Sequence, residues 1–186
     1  MAPKGAPIVA LVGAPNAGKS TLFNSLTGAK ARMGNWPGTS VEVSRGAWKQ
    51  SKDVTYDVID FPGAYSLDPM SPDEELTRNL VIDAAEQDRP DLVIIAVDAS
   101  SLSRSLYMVA QLTEQENRLV VVMTKADVAA ANGEEINSEK LSEQLGIPVV
   151  PVDPRHRSNV DKIAAVVAEE LQKPKKLYRD VPADAS

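Results

Sequence analysis

The chain has 186 residues, enough for one α/β domain with a sizeable core. It carries 20 Lys+Arg against 26 Asp+Glu, a net charge of −6, which argues against a nucleic-acid backbone as its main partner. It has no cysteine, so disulfides, thiolate metal sites and cysteine nucleophiles are excluded, as suits a cytosolic protein. Apolar runs alternate with helical patterns along the whole length. Predicted strands cover Pro7–Val12, Val41–Lys49, Val54–Asp60, Asp91–Val97, Arg118–Met123 and Pro148–Val152. Predicted helices cover Lys19–Thr27, Glu74–Gln87 after the capping run Ser71-Pro72-Asp73, Ser103–Glu116, Val128–Asn132, Ser138–Leu145 and Asn159–Gln172. The last of these places Val160, Ile163, Val166, Val167 and Leu171 on one face. Loops are expected from Gly28 to Ser40 and from Phe61 to Asp73, and residues 173–186 read as a charged tail or linker after a domain at 1–172.

The strands are rich in Val and Ile without polar alternation, which suggests a sheet covered on both faces. Their alternation with helices suggests parallel crossovers. The longest apolar runs, Leu92–Val97 and Leu119–Met123, are strand-length, well short of the roughly 18–20 residues that span a bilayer. A soluble chain is expected, and Met1–Gly5 leads into the first strand without room for a signal peptide.

The chemistry starts at Gly13-Ala14-Pro15-Asn16-Ala17-Gly18-Lys19-Ser20, which reads G-x-x-x-x-G-K-S between a strand and a helix. Gly13 and Gly18 let the backbone turn its N–H groups onto phosphate oxygens, and the following helix, with Thr21 in its first turn, aims its positive end at the same anion. Lys19 reaches toward β- and γ-phosphates and the Ser20 hydroxyl is a Mg²⁺ ligand. Asp60-Phe61-Pro62-Gly63 reads D-x-x-G at a strand end. Asp60 is placed to hold the Mg²⁺ hydration shell, and the Gly63 N–H to bond a γ-phosphate oxygen.

Thr124-Lys125-Ala126-Asp127 follows another strand and resembles the N/T-K-x-D base-recognition motif of GTPases. A carboxylate at Asp127 accepts from the guanine N1–H and N2 amine together, and adenine offers no such donor pair. Lys125 lies along the ring and the loop, and Thr124 keeps a hydroxyl that can tie the loop down. Beyond the last strand, Asp153-Pro154-Arg155 stands where GTPases commonly donate a backbone N–H to the guanine O6. Pro154 has no N–H, so the donor shifts, for instance to Arg155, or the contact weakens.

Met33-Gly34-Asn35-Trp36-Pro37-Gly38-Thr39-Ser40-Val41-Glu42 resembles the switch I segment of the prokaryotic ferrous iron transport protein B family. Asp60-Phe61-Pro62-Gly63-Ala64-Tyr65-Ser66-Leu67 is similar to that family's D-L-P-G-x-Y-S-L, and the phosphate loop with Thr21-Leu22-Phe23-Asn24 fits as well. Val97-Asp98-Ala99-Ser100 and Arg104-Ser105-Leu106-Tyr107 extend the match over about residues 7–172. The resemblance implies a P-loop NTPase of α/β class: a Ras-like G domain with a mostly parallel six-stranded sheet flanked by helices. It implies binding of GTP and GDP, Mg²⁺-dependent hydrolysis with slow unaided turnover, and a role in ferrous iron uptake. It places the domain at the cytoplasmic side of the bacterial inner membrane, joined to helical and transmembrane portions that are not in this chain. A homo-oligomer is left open.

Within that resemblance Ser40, or Thr39 if the register slips by one, offers the switch I hydroxyl to Mg²⁺. Ala64 stands where Ras-type GTPases use Gln to orient the attacking water. The family suggests a K⁺ held by Asn16 and switch I carbonyls as the substitute charge. Trp36 is either a shielding switch aromatic or a surface packing residue. His156, the only histidine, reads as a surface-loop residue and not an iron ligand, and Asp68, Asp73, Glu74 and Glu75 read as a solvated acidic cluster. Two rival functions are a ribosome- or RNA-associated assembly GTPase and a GTP/GDP-sensing module with negligible hydrolysis.

Overall fold

A computed structural model of the chain describes residues 6–13, 18–28, 32–35, 42–49, 53–61, 90–113, 117–125, 130–131, 133, 136–152 and 158–174, with Arg104, Ser158 and Asn159 described by backbone only. Seven strands form one sheet in the order β2-β3-β4-β1-β5-β6-β7. They are β1 Ile8–Gly13, β2 Arg32–Asn35, β3 Glu42–Lys49, β4 Thr55–Asp60, β5 Leu92–Asp98, β6 Leu119–Thr124 and β7 Val149–Pro151. From β4 to β7 all neighbours are parallel, whereas β2–β3 and β3–β4 are antiparallel. Among the described residues the complete helices are α1 Lys19–Thr27, α2 Leu102–Leu112, α3 Ser138–Leu145 and α4 Ser158–Leu171, and a 3₁₀ turn, Ala99–Ser101, precedes α2.

The mostly parallel α/β sheet matches expectation, but it has seven strands and not six. The extra strand, β2, lies inside the expected loop Gly28–Ser40. Its residues Arg-Met-Gly-Asn are all exposed, so no apolar pattern marks it. Only backbone pairing to β3, Arg32 opposite Arg45 through Asn35 opposite Glu42, makes it a strand.

Every residue of β5 and β6 is buried, because helices cover both faces. Successive side chains alternate between those faces. Val9, Leu11, Ile94, Val120 and Val122 pack with Leu22, Phe23 and Leu26 of α1 and with Ile163 and Val167 of α4. Ala10, Val12, Ile95, Val121 and Met123 pack with Met108, Val109 and Leu112 of α2 and with Leu141 of α3. Each fully buried anchor of this kind stabilises the fold by roughly 1.5–3 kcal/mol in transfer terms. The apolar face expected on the last helix is present: Ile163 and Val167 are in the core, with Val160, Val166 and Leu171 against it.

Local chemistry sets the helix ends. Gly28 ends α1 in the left-handed region, φ 68°, and its N–H bonds the Asn24 carbonyl. The Asn137 side chain caps α3 by accepting from Lys140 N at 3.1 Å, and Gly146 closes it at φ 69°. The helix α2 stops at Leu112, four residues before the expected Glu116, where the Asn117 side chain donates to the Leu112 carbonyl at 2.8 Å. The expected helix Glu74–Gln87 lies outside the described residues, as does all of Val128–Asn132 except Ala130 and Ala131, which are helical.

Candidate nucleotide-binding site

The parallel strands β1, β4, β5 and β6 all end on one edge of the sheet, and the sequence motifs sit at those ends. In open α/β sheets that edge is where ligands bind. The strand β1 ends at Gly13, which pairs with Ala96 of β5. A Cβ at Gly13 would stand 2.4 Å from the Ala96 carbonyl oxygen, and Gly13 has φ +153°. Glycine is therefore demanded here by the neighbouring backbone of β5 and by its own φ.

Ala14, Pro15, Asn16 and Ala17 lie outside the described residues. The chain re-enters at Gly18, the N-cap of α1, with φ 73° and ψ 24°. The Gly18 carbonyl accepts from Leu22 N at 2.9 Å, which starts the helix. The N-cap is a glycine, which has no side chain to cap with, in contrast to the Asn137 cap on α3. Ser20 and Thr21 are exposed in the first turn. The N–H groups of a helix start with an adjacent hydroxyl suit an anion and its counter-cation.

Lys19 points inward and is 6% exposed. Its Nζ donates to Asp60 Oδ1 and, at 2.6 Å, to the Phe61 carbonyl. Asp60 closes β4 directly beside β1, opposite Leu11, and Phe61 N donates to the Leu11 carbonyl at 3.1 Å. Burial pushes the Asp60 carboxyl above its ordinary value, and the neighbouring Lys19 ammonium pulls only partly in the other direction. Phe61, 1% exposed, anchors the strand end in the core. The Lys19, Ser20 and Asp60 side chains supply a cation, a hydroxyl and a carboxylate at neighbouring elements. Oxygen donors of that kind fit Mg²⁺, and the ammonium fits phosphate. Among the described residues no group of three or more His, Asp or Glu is placed to hold a metal by itself.

The base-side motif begins at the end of β6, two strands along from β1, or about 10 Å at the usual strand spacing. Thr124 is 1% exposed and its Oγ1 donates to the Val97 carbonyl at 3.2 Å. The expected tie by the Thr124 hydroxyl thus runs to β5. Lys125 has φ 59°, the one positive-φ non-glycine residue among those described. Its Nζ lies 3.5 Å from Asp98 Oδ2. The run Val97-Asp98-Ala99-Ser100 gives Asp98 no separate role by motif; an Asp at a strand end two residues before a Ser is a cap pattern, and its Oδ1 accepts from Ser100 N at 2.8 Å. Asp127 lies outside the described residues, as do Ser40, Thr39, Gly63, Ala64, Trp36, His156, Asp153, Pro154, Arg155 and the acidic cluster Asp68, Asp73, Glu74 and Glu75.

A parallel sheet with a glycine turn, a buried lysine at a helix start and an aspartate at the neighbouring strand end defines the P-loop G-domain class. A family model described as "Ferrous iron transport protein B" matches residues 7–167. The chain is 40% identical over 144 residues to the Fe(2+) transporter FeoB of Salmonella typhimurium, covering 77% of this chain and 18% of that protein. It is similar in structure to the G domain of the T. maritima FeoB iron transporter, with TM-score 0.79, 35% identity, and coverage of 89% of this chain and 98% of that one. A mutant S. thermophilus NFeoB bound to GDP is similar with TM-score 0.76 and 37% identity, over 90% of this chain and 63% of that one. The chain belongs to the ferrous iron transport protein B family, and its fold is that of the family's G domain. It spans 16–18% of the length of the first curated relatives it matches. Among the described residues, no helix is long and apolar enough to cross a membrane.

Proposed function

We propose that this chain binds GTP and hydrolyses it to GDP and phosphate, and that this cycle regulates or powers ferrous iron uptake by a larger membrane protein. The observation that carries the reading is the meeting of Lys19 and Asp60 at the glycine-started N-terminus of α1. A GDP-bound relative of the same fold supports the choice of nucleotide.

In this reading Lys19 exchanges its Asp60 partner for β- and γ-phosphate oxygens. The backbone from Gly13 to Thr21, with Ala14, Pro15, Asn16, Ala17, Gly18 and Ser20, cradles the phosphates. Ser20, Asp60 and switch I Ser40 or Thr39 would hold Mg²⁺, which neutralises charge on the transferring phosphoryl group. Gly63 donates its N–H to the γ-phosphate. Asn16 would hold a K⁺ that supplies the charge an arginine finger supplies elsewhere. Asp127 accepts from the guanine edge, Lys125 and Thr124 shape its loop, and the Asp153-Pro154-Arg155 segment flanks the base. GTP would hold the parts of 28–40 and 60–73 outside β2 and Asp60–Phe61 through the γ-phosphate, and hydrolysis would release them. The domain would span 1–172, with 173–186 leading to helical and transmembrane portions at the cytoplasmic face of the bacterial membrane.

GTP turnover by this chain in K⁺ and in Na⁺, with Asn16→Ala alongside, tests the reading. Faster turnover in K⁺ that Asn16→Ala abolishes supports it. Turnover equal in both salts overturns the cation role, and no turnover in either favours a nucleotide sensor.

A further inference from the structure

The strand β2 has one neighbour in the sheet, β3, and buries none of its four side chains. Its attachment therefore rests on backbone pairing and on what the cross-strand side chains add to it. The register sets Arg32 directly opposite Arg45. Directly opposed residues of an antiparallel pair share a face, with Cβ atoms about 4.5–5.5 Å apart, and like charges placed so are destabilising.

The next strand supplies the counter-charge. Asp57 of β4 is the register partner of Ala47, so it lies diagonally across from Arg45 on the same face. Arg45 Nε donates to both carboxylate oxygens of Asp57 at 3.0 Å, and Nη2 donates to Oδ2. The Asp57 side chain is 15% exposed against 48% for Arg45. The backbone of Asp57 is held from its other side: its N–H donates to the Pro7 carbonyl at 2.9 Å, and it is the register partner of Ile8 in β1. The carboxylate thus stands on an interior strand, and the arginine that it holds stands between it and β2. Strand alternation puts Arg32, Arg45, Lys49 and Asp57 on one face of β2, β3 and β4, with Glu42 and Asp60 on the other. Among the described residues of these strands, Asp57 is the one carboxylate on a face with three cations.

We propose that Asp57 is an electrostatic latch for β2: by neutralising Arg45 it lets Arg32 remain opposite, and so keeps the strand on the sheet. Met33, Gly34 and Asn35 of β2 belong to the run that resembles switch I, so the latch sets how firmly the sheet-bound part of that segment is held. That functional meaning rests on the GTP reading given above; the latch itself does not.

Hydrogen exchange at the β2 amides that bond β3, measured without nucleotide and corrected for intrinsic rates, tests this. The proteins are wild type, Asp57→Asn, Arg32→Gln and Asp57→Asn/Arg32→Gln. Asparagine keeps an acceptor for Arg45 and removes the charge. Exchange in Asp57→Asn should be about two- to fivefold faster than in wild type, the range of a cross-strand pair on a partly exposed face. Arg32→Gln removes the cation that needs the latch. Alone it should protect β2 at least as well as wild type, and in the double variant it should bring exchange back to within about twofold of wild type. Salt at about 1 M, where the screening length falls to about 3 Å, should shrink the acceleration in Asp57→Asn. Wild-type protection in Asp57→Asn, a double variant that exchanges as fast as Asp57→Asn, or an acceleration that salt leaves unchanged would overturn the proposal. Loss of the Arg45 contact for purely structural reasons would not be rescued by Arg32→Gln. Because no nucleotide enters the measurement, failure of the latch and failure of the GTP reading are told apart.

Discussion

Lys19 and Asp60 come from different elements, the start of α1 and the end of β4, and meet in a largely buried ion pair that the Phe61 carbonyl completes. The pairing follows from strand order. Because β4 lies directly against β1, the residue that ends β4 falls beside the loop that leaves β1.

Asp60 sets a pH dependence of stability. Burial raises its carboxyl above the ordinary value, so the native state keeps a proton where the unfolded chain has lost it. With more protons bound in the native state, stability falls as pH rises from the unfolded value through the raised native one. Asp60→Asn should flatten that slope in denaturant unfolding of nucleotide-free protein across the acid range. It should also lower Mg²⁺-dependent GTP turnover by about 10–100-fold, as loss of an outer-sphere metal partner does. An unchanged slope would show that Asp60 is not the titrating group.

Gly13 and Gly28 are both glycines with positive φ, but they should respond differently to substitution. A Cβ at Gly13 meets the Ala96 backbone at 2.4 Å, whereas at Gly28 nothing lies within 4 Å. Gly28→Ala should cost only the left-handed penalty, about 1–2 kcal/mol. Gly13→Ala forces β1 and β5 apart and should cost about 1–3 kcal/mol from overpacking, with loss of mant-GDP binding as well. Urea unfolding of the two variants compares them directly, and equal mant-GDP binding by both would contradict the difference.

Trp48 and Tyr56 sit opposite each other on β3 and β4, with ring centroids 5.3 Å apart at 68°. They close the core where the antiparallel edge joins the parallel sheet, and Trp48 is 2% exposed. Trp48→Ala should destabilise the fold by about 3–5 kcal/mol. The midpoint of chemical unfolding measures it; a loss under 1 kcal/mol would mean that the antiparallel edge is dispensable.

Base choice has its own test. Asp127→Asn exchanges an acceptor for a donor and should move preference from guanine to xanthine nucleotides. Competition of GDP and XDP against mant-GDP reads the change, and an undiminished preference for GDP would remove Asp127 from base recognition.

How much of this was legible in sequence depended on what each residue type declares. The fully buried strands β5 and β6 showed as apolar runs rich in Val and Ile, and α3 showed with the bounds expected of it, Ser138–Leu145. The strand β2 did not, since a two-sided exposed strand has no apolar period to read. Lys19, Ser20 and Asp60 were legible as members of the G-x-x-x-x-G-K-S and D-x-x-G patterns, and the structure brings Lys19 and Asp60 into contact. Asp98 was quoted in Val97-Asp98-Ala99-Ser100, but its contact with Lys125 was not legible, because it comes from register between β5 and β6, a long-range property with no local pattern. The crowding of Gly13 by Ala96 was hidden for the same reason.

The most direct measurement is Mg²⁺-dependent phosphate release from GTP by the wild-type chain and by Lys19→Ala. Hydrolysis by wild type, with at least a hundredfold loss in Lys19→Ala from removal of its charge at the phosphates, is the predicted result, about 2.7 kcal/mol or more of transition-state stabilisation. No phosphate release by the wild type, or equal rates from the two proteins, would contradict the assignment of this site to GTP hydrolysis.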